Sequence, residues 1–196
     1  MAATTGSVLR LSNDDFMLNQ RILLEHHDTG FSLQATVESH GWWQLPPFGY
    51  SDGILTRVHR MVDGRVVKMY IEQTGNTSRA DFLLLQTDGP AYTRDQFEIA
   101  GTVRRMLCMD WDLAEFYTLL ERLPDYAWVA ANSIGRMLRA PTVWEDLAKT
   151  LLTTNTTWAQ TINMSTRLVT LGDESPFGHA FPTPAQVAAL SVDDLT

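Results

Sequence analysis

The stretch from Pro141 to Gly172 constrains the fold more than any other, because it holds two amphipathic helix patterns separated by a bend that neither pattern crosses. Thr142 with Glu145 three residues later has the form of a capping box, in which each side chain satisfies a backbone N–H left over by the first helical turn. That spacing predicts a helix start at Thr142. Val143, Leu147 and Leu151 then recur at one-turn intervals, with Trp144, Ala148 and Leu152 beside them. The stripe stops at Thr153-Thr154-Asn155-Thr156-Thr157, residues that favour turns and caps over helix interiors. A second stripe of Trp158, Ile162 and Val169, flanked by Leu168 and Leu171, runs to Gly172, which suits the left-handed position that ends a helix.

The chain ahead of this hairpin divides near residue 90. Gln20 to Leu24 is a strand candidate, and His26-His27-Asp28-Thr29-Gly30 reads as a turn whose adjacent histidines point apart and do not share a metal. Ser32 to Ser39 predicts a short helix with Leu33 and Val37 on one face. His40-Gly41-Trp42-Trp43-Gln44-Leu45-Pro46-Pro47-Phe48 is aromatic and broken by prolines, which fits a loop packed on a core or the wall of a pocket for a flat ligand. Ile54–Met61, Arg65–Glu72 and Ala80–Gln86 read as strands, with Asp63-Gly64 a hairpin signal and Gly75 to Ser78 the next reversal. Arg57, His59, Arg60, Arg65 and Lys68 give this meander a basic character of the kind expected on the wet face of a sheet. After Asp88-Gly89-Pro90 the pattern is helical throughout. Thr93 with Gln96 is a second capping box, and Phe97, Val103, Met106 and Leu107 are expected to face a core; Asp110-Trp111-Asp112 interrupts before a short helix over Leu113 to Leu120.

Composition narrows the function classes. With 196 residues, 44% hydrophobic and 19% charged, the chain has ample material for a core, and no apolar run reaches the roughly 20 residues of a bilayer span. A cytoplasmic location is the resulting expectation. The single cysteine, Cys108, rules out an internal disulfide and a Cys-rich zinc site, and reads as a small buried hydrophobe. No metal site or cofactor motif is found. A net charge of -8 opposes non-specific nucleic-acid binding, which relies on Lys and Arg neutralising phosphates, so any DNA contact has to be local.

Thr183-Pro184-Ala185-Gln186 combines a capping box with Pro at the first helical position. Ser191-Val192-Asp193-Asp194 has the form of a further helix start, yet Thr196 follows at once. One isolated turn does not repay its nucleation, which leads to the expectation that the helical part is incomplete at its C-terminus or is completed by another chain.

The segments GRMLRAPTVWEDLAKTLLTTNTTWAQTINMSTRLVTLG, residues 135 to 172, and FPTPAQVAAL, residues 181 to 190, resemble the helix-hairpin-helix DNA glycosylase superfamily, in its 8-oxoguanine DNA glycosylase and 3-methyladenine DNA glycosylase II branch. The resemblance covers about residues 90 to 196 well and the first 90 loosely. It implies an α+β fold: a small antiparallel β-sheet with a helix (TBP-like) over residues 1–90, then the first part of a helical glycosylase domain over 91–196. By position, Asn155 falls where the 8-oxoguanine branch has an Asn that enters the duplex and contacts the base left behind by flipping. Thr156, Thr157 and Gln160 are placed to assist it, although Gln160 stands where that branch often has an Arg that reads the opposite base. His40, Trp42 and Trp43 align with a loop touching the flipped base and are candidates for the wall of a base pocket.

In the family, the helix-hairpin-helix element, the catalytic Asp and the nucleophilic Lys of bifunctional members lie downstream of the Phe-Pro-Thr-Pro helix, so no catalytic residue is assigned here. Asp110, Asp112, Asp173 and Glu174 read as caps, first-turn acids or loop charges. The implied function is base-excision repair, hydrolysis of the N-glycosidic bond of a damaged base in double-stranded DNA, with this chain the N-terminal portion. Two other classes are consistent with the residues: a non-catalytic DNA-binding or assembly subunit completed by a partner segment or chain, and a helical protein-interaction module.

Overall fold

A computed structural model describes residues 18–22, 30–74, 82–88 and 95–191. The expected turn at His26 to Thr29, the reversal at Gly75 to Ser78, the Thr93 cap and the helix start after Ser191 lie outside these residues.

Five antiparallel strands form one sheet: β1 (Leu18–Ile22), β2 (Phe48–Ser51), β3 (Ile54–Arg60), β4 (Val66–Thr74) and β5 (Phe82–Asp88), in the order β1-β5-β4-β3-β2. Strand β2 was not expected, because four residues directly after Pro46-Pro47 are too few to show a period; it is held by pairing Phe48 to Arg57 and Ser51 to Ile54. The β3–β4 reversal is at Asp63-Gly64 as anticipated, with Gly64 at φ +90 and Arg65 bridging Asp63 and Asp95 at 2.6 and 2.9 Å.

Helix α1 (Leu33–Val37), capped by Ser32, and α2 (Asp95–Met106) bury their apolar sides in one cluster with the sheet. That cluster unites Leu33 and Val37 with Leu55, Val67, Met69 and Ile71 and with Ile99, Val103, Met106 and Leu107, so it runs across residue 90. Phe97 does not join it, in contrast to the expectation, and is 85% exposed. At 100° per residue, Ile99, Val103 and Met106 share one face and Phe97 lies on another. Cys108 is buried, as expected, and its thiol donates to the Met137 carbonyl at 3.2 Å.

Short helices α3 (Ala114–Leu120) and α4 (Ala127–Ala131) follow, then α5 (Val143–Leu152) and α6 (Trp158–Val169), a small hairpin of β6 (Glu174–Ser175) and β7 (Gly178–His179), and α7 (Pro184–Ala188). The caps at Thr157 and Thr183 are full capping boxes, with Gln160 and Gln186 completing them. The Thr142 cap is not: its hydroxyl accepts from Glu145 N, but the Glu145 carboxylate turns away into the protein interior. Among the described residues, no helix is long and apolar enough to cross a membrane.

Gly172 also departs from its expected role. It is absent from the positive-φ glycines, and a Cβ there would lie 1.9 Å from the Ala180 carbonyl oxygen. Glycine is therefore required by close approach of the 172 and 180 backbones rather than by a left-handed cap. Gly172→Ala is expected to lower stability by about 1–3 kcal/mol, the usual cost of overpacking, read from the midpoint of urea unfolding.

Candidate functional site

The turn between α5 and α6 is built from side chains folded back onto their own backbone. Thr153 and Thr154 hydroxyls donate to the carbonyls of Thr150 and Leu151 at 2.7 Å each, and Thr156 donates to Leu152 at 2.9 Å. The Gln160 amide oxygen accepts from both the Thr157 N–H, at 2.9 Å, and its hydroxyl, at 3.0 Å. These bonds fix the turn from both sides. Asn155 sits at its apex with φ +55, a left-handed conformation that Asn adopts more readily than most residues. Its side chain is exposed and bonds to no other described residue. The fold thus brings Asn155, Thr156, Thr157 and Gln160 to one place but leaves them unequal: only Asn155 keeps its whole amide free.

The loop after α1 packs directly against this hairpin. Trp158, at the start of α6, donates its indole N–H to Gln44 at 2.8 Å, and Gly41, at φ +83, admits its ring: a Cβ there would lie 3.1 Å from Trp158 Cζ2. Trp42 donates its own indole N–H to the Asp146 carboxylate at 3.0 Å, and the same oxygen accepts from Ala140 N at 2.8 Å. The His40 ring stacks on Trp42 with centroids 5.2 Å apart and planes 14° from parallel. Burial lowers the His40 pKa, with the Asp146 charge opposing.

His40 and Trp42 line a cavity of about 270 Å³ whose other walls include Trp111, Met137, Arg139 and Asp146. Its size is below the roughly 300–1,000 Å³ of sites for drug-sized ligands and suits a single flat ring system. Arg139 crosses one side, its guanidinium 5.8 Å from the Trp111 ring and 3.3 Å from Asp110. Trp43 is not part of this wall. It meets Tyr50 edge-on at 6.0 Å and packs against the main core.

Below the loop lies a buried ion triad. Arg57 projects from the same face of β3 as Leu55 and His59, and its two terminal nitrogens meet the Glu145 carboxylate at 2.9 and 2.6 Å. Lys149, one turn further along α5, reaches the same carboxylate at 2.7 Å and the Leu45 carbonyl at 3.2 Å. Arg57 and Glu145 are 2% and 1% exposed, Lys149 not at all, and the Phe48 ring lies 4.6 Å from the guanidinium and 4.8 Å from the ammonium. Arg57 and His59 therefore do not lie on a wet sheet face as expected. Burial alone raises the Glu145 pKa, but Arg57 and Lys149 outweigh it and hold the carboxyl at about 2. Burial pushes Lys149 down to about 8 against the pull of Glu145. The one sequence signal for the triad was the Glu145–Lys149 spacing of four, which reads equally well as an ordinary surface pair.

No protein-family model matches the sequence, and no curated protein registers as a relative. Solved structures do match. The 3-methyladenine DNA-glycosylase from Archaeoglobus fulgidus superposes with a TM-score of 0.70 at 16% identity, over 90% of this chain and 60% of that one. MBOgg1 in complex with a low-affinity DNA ligand gives 0.63 at 18%, over 90% and 59%. The fold is that of the DNA glycosylases. A third glycosylase fold, the Clostridium acetobutylicum 8-oxoguanine glycosylase/lyase in complex with double-stranded DNA containing cytosine opposite 8-oxoG, gives 0.55 at 15%, over 87% and 57%. The chain thus spans about three-fifths of the length of these structures. The α+β glycosylase architecture expected from the hairpin and the Phe-Pro-Thr-Pro helix is the one observed.

Glu145→Gln is expected to cost about 3–5 kcal/mol in urea unfolding, since it leaves two buried cations without their anion. Replacing the whole triad by Arg57→Met, Glu145→Leu and Lys149→Met should be far milder. His59 is held from its ordinary 6.5 down to about 3, first by burial and then by Arg57. The unfolded chain consequently takes up a proton below pH 6.5 that the folded chain refuses, and stability falls as pH drops from 6.5 toward 3. His59→Gln should flatten that part of a stability-versus-pH curve.

Proposed function

We propose that this chain is the N-terminal portion of a base-excision DNA glycosylase, whose hairpin tip enters a duplex while a damaged base is held outside the stack. The observation that carries the reading is Asn155, a free amide presented at φ +55 on a turn whose threonines are tied to backbone. Taking a nucleotide out of the stack costs a few kcal/mol, and an inserted side chain that refills the space offsets part of that cost. An Asn is short enough to enter and carries both a donor and an acceptor for the orphaned base. Thr156, Thr157 and Gln160 shape the turn beside it, and the remaining Gln160 amide N–H groups are available to the duplex.

The cavity lined by His40 and Trp42 is the candidate base pocket in this reading, with Trp43 behind the wall rather than on it. Its loop reaches the probing turn, since Gly41 and Gln44 rest on Trp158, three residues after Asn155. The stacked rings of His40 and Trp42 supply the apolar surface that a flat base requires. Hydrolysis of the glycosidic bond is assigned to a carboxylate outside this chain, no cofactor or metal is called for, and the working compartment is the cytoplasm. A second reading, a non-catalytic DNA-binding or assembly subunit completed by a partner chain, is favoured by Leu147 and Leu151, which are 63% and 68% exposed.

Asn155→Gly is the informative variant, since glycine keeps the left-handed backbone that alanine strains. In fluorescence anisotropy at low salt, a duplex carrying 8-oxoguanine or an abasic site should bind the variant about tenfold more weakly, the worth of one or two hydrogen bonds, with thermal stability unchanged. Base release from duplexes containing 8-oxoguanine or 3-methyladenine should be undetectable with residues 1–196 alone; robust release would place the chemistry within them. Absence of any duplex binding would favour a protein-interaction module instead.

A further inference from the structure

We propose that Gln160 is a second reading residue of the probing turn, fixed as a donor by its own helix cap, so that the base opposite the extruded one is met through acceptors that all four bases carry. The inference rests on the reading of the Asn155 turn as a duplex probe. A carboxamide ordinarily presents a donor and an acceptor side by side and exchanges them by turning over. Gln160 is denied that freedom. Its amide oxygen accepts from the Thr157 backbone N–H at 2.9 Å and from the Thr157 hydroxyl at 3.0 Å. A backbone N–H can only donate, so the atom at the cap has to be the oxygen. Both of its lone pairs are then engaged, while the amide nitrogen bonds to no other described residue and the side chain is exposed.

The two amides of the turn therefore differ in what they can tell apart. Asn155 bonds to no other described residue and can turn either edge toward a base. Gln160 offers N–H groups in one place and never asks the base for a donor. On the Watson–Crick edge adenine carries an acceptor at N1, guanine at O6, thymine at O2 and O4, and cytosine at N3 and O2. The donors of Gln160 consequently find a partner on every base. Selecting one base takes a fixed pair of complementary groups, as in bidentate readout, and here only one of the two amides is fixed. The turn is built to sense that a position has been vacated, and it is tolerant of the base left behind.

The test measures fluorescence anisotropy at low salt for residues 1–196 with duplexes carrying a tetrahydrofuran abasic site opposite cytosine, thymine, adenine or guanine, beside the corresponding intact duplexes. Affinities for the abasic duplexes are expected to agree within about threefold, and a preference of more than about tenfold for one opposing base overturns the proposal. Gln160→Glu is the companion variant, because a glutamate oxygen completes the same cap while the donors are lost. It should leave the melting temperature unchanged and lower the ratio of abasic to intact affinity about tenfold, the worth of one hydrogen bond. Equal losses on both kinds of duplex would mean that Gln160 meets a phosphate or that the added charge repels DNA, and would overturn the proposal, as would an unchanged ratio. If Asn155→Gly weakens abasic binding while Gln160→Glu leaves the ratio unchanged, the Asn155 reading stands and this one falls. A loss with Gln160→Glu alone would remove Asn155 and keep Gln160. If neither variant has an effect, or the unmodified chain binds no duplex, both fall.

Discussion

The ion triad of Arg57, Glu145 and Lys149 is the constraint from which the rest of the arrangement follows. One carboxylate takes bonds of 2.6 to 2.9 Å from two cations, one on the sheet and one on its own helix. Charges so deeply buried are tolerable only when each is paired and hydrogen-bonded, and the geometry that satisfies them is narrow. These bonds hold helix α5 in its rotation against β3. That rotation brings Asp146 under Trp42, Lys149 under the Leu45 carbonyl, and Val143, Leu147 and Leu151 out to the surface.

The loop from His40 to Leu45 joins the two halves of the candidate site through this arrangement. It is fastened at three points by long-range hydrogen bonds, to Asp146, to Trp158 and to Lys149. Two of these donors are indole N–H groups, which allows large rings to fill space and still satisfy their polar edge. The loop is therefore tied by side-chain hydrogen bonds to both helices that flank the Asn155 turn. A net charge of -8 opposes general attraction to phosphate.

The legible parts of the sequence were those with local causes. Caps at Thr157 and Thr183, the Asp63-Gly64 reversal, the Leu33–Val37 face and the Asn155 bend each depend on residues within a few positions of one another. The misread positions depend on distant partners. Glu145 was taken for a cap because nothing nearby shows that Arg57, 88 residues away, will claim its carboxylate. Gly172 was taken for a helix terminator because the close passage of Ala180 is a tertiary fact. Trp43 could not be separated from Trp42, since adjacent aromatic residues in a loop have no periodicity to assign their sides.

The sequence by itself determined where α5, α6 and α7 start and where β3 turns into β4, because capping, periodicity and turn chemistry are written within one or two turns of chain. It also determined that Asn155 would stand at a bend, since the β-branched residues around it disfavour a continuous helix. Where a helix's inner face runs against its apolar stripe, only the tertiary structure decided it. For α5 that decision went against hydrophobicity: a buried arginine on β3 drew in Glu145 and Lys149, and the leucines were left outside.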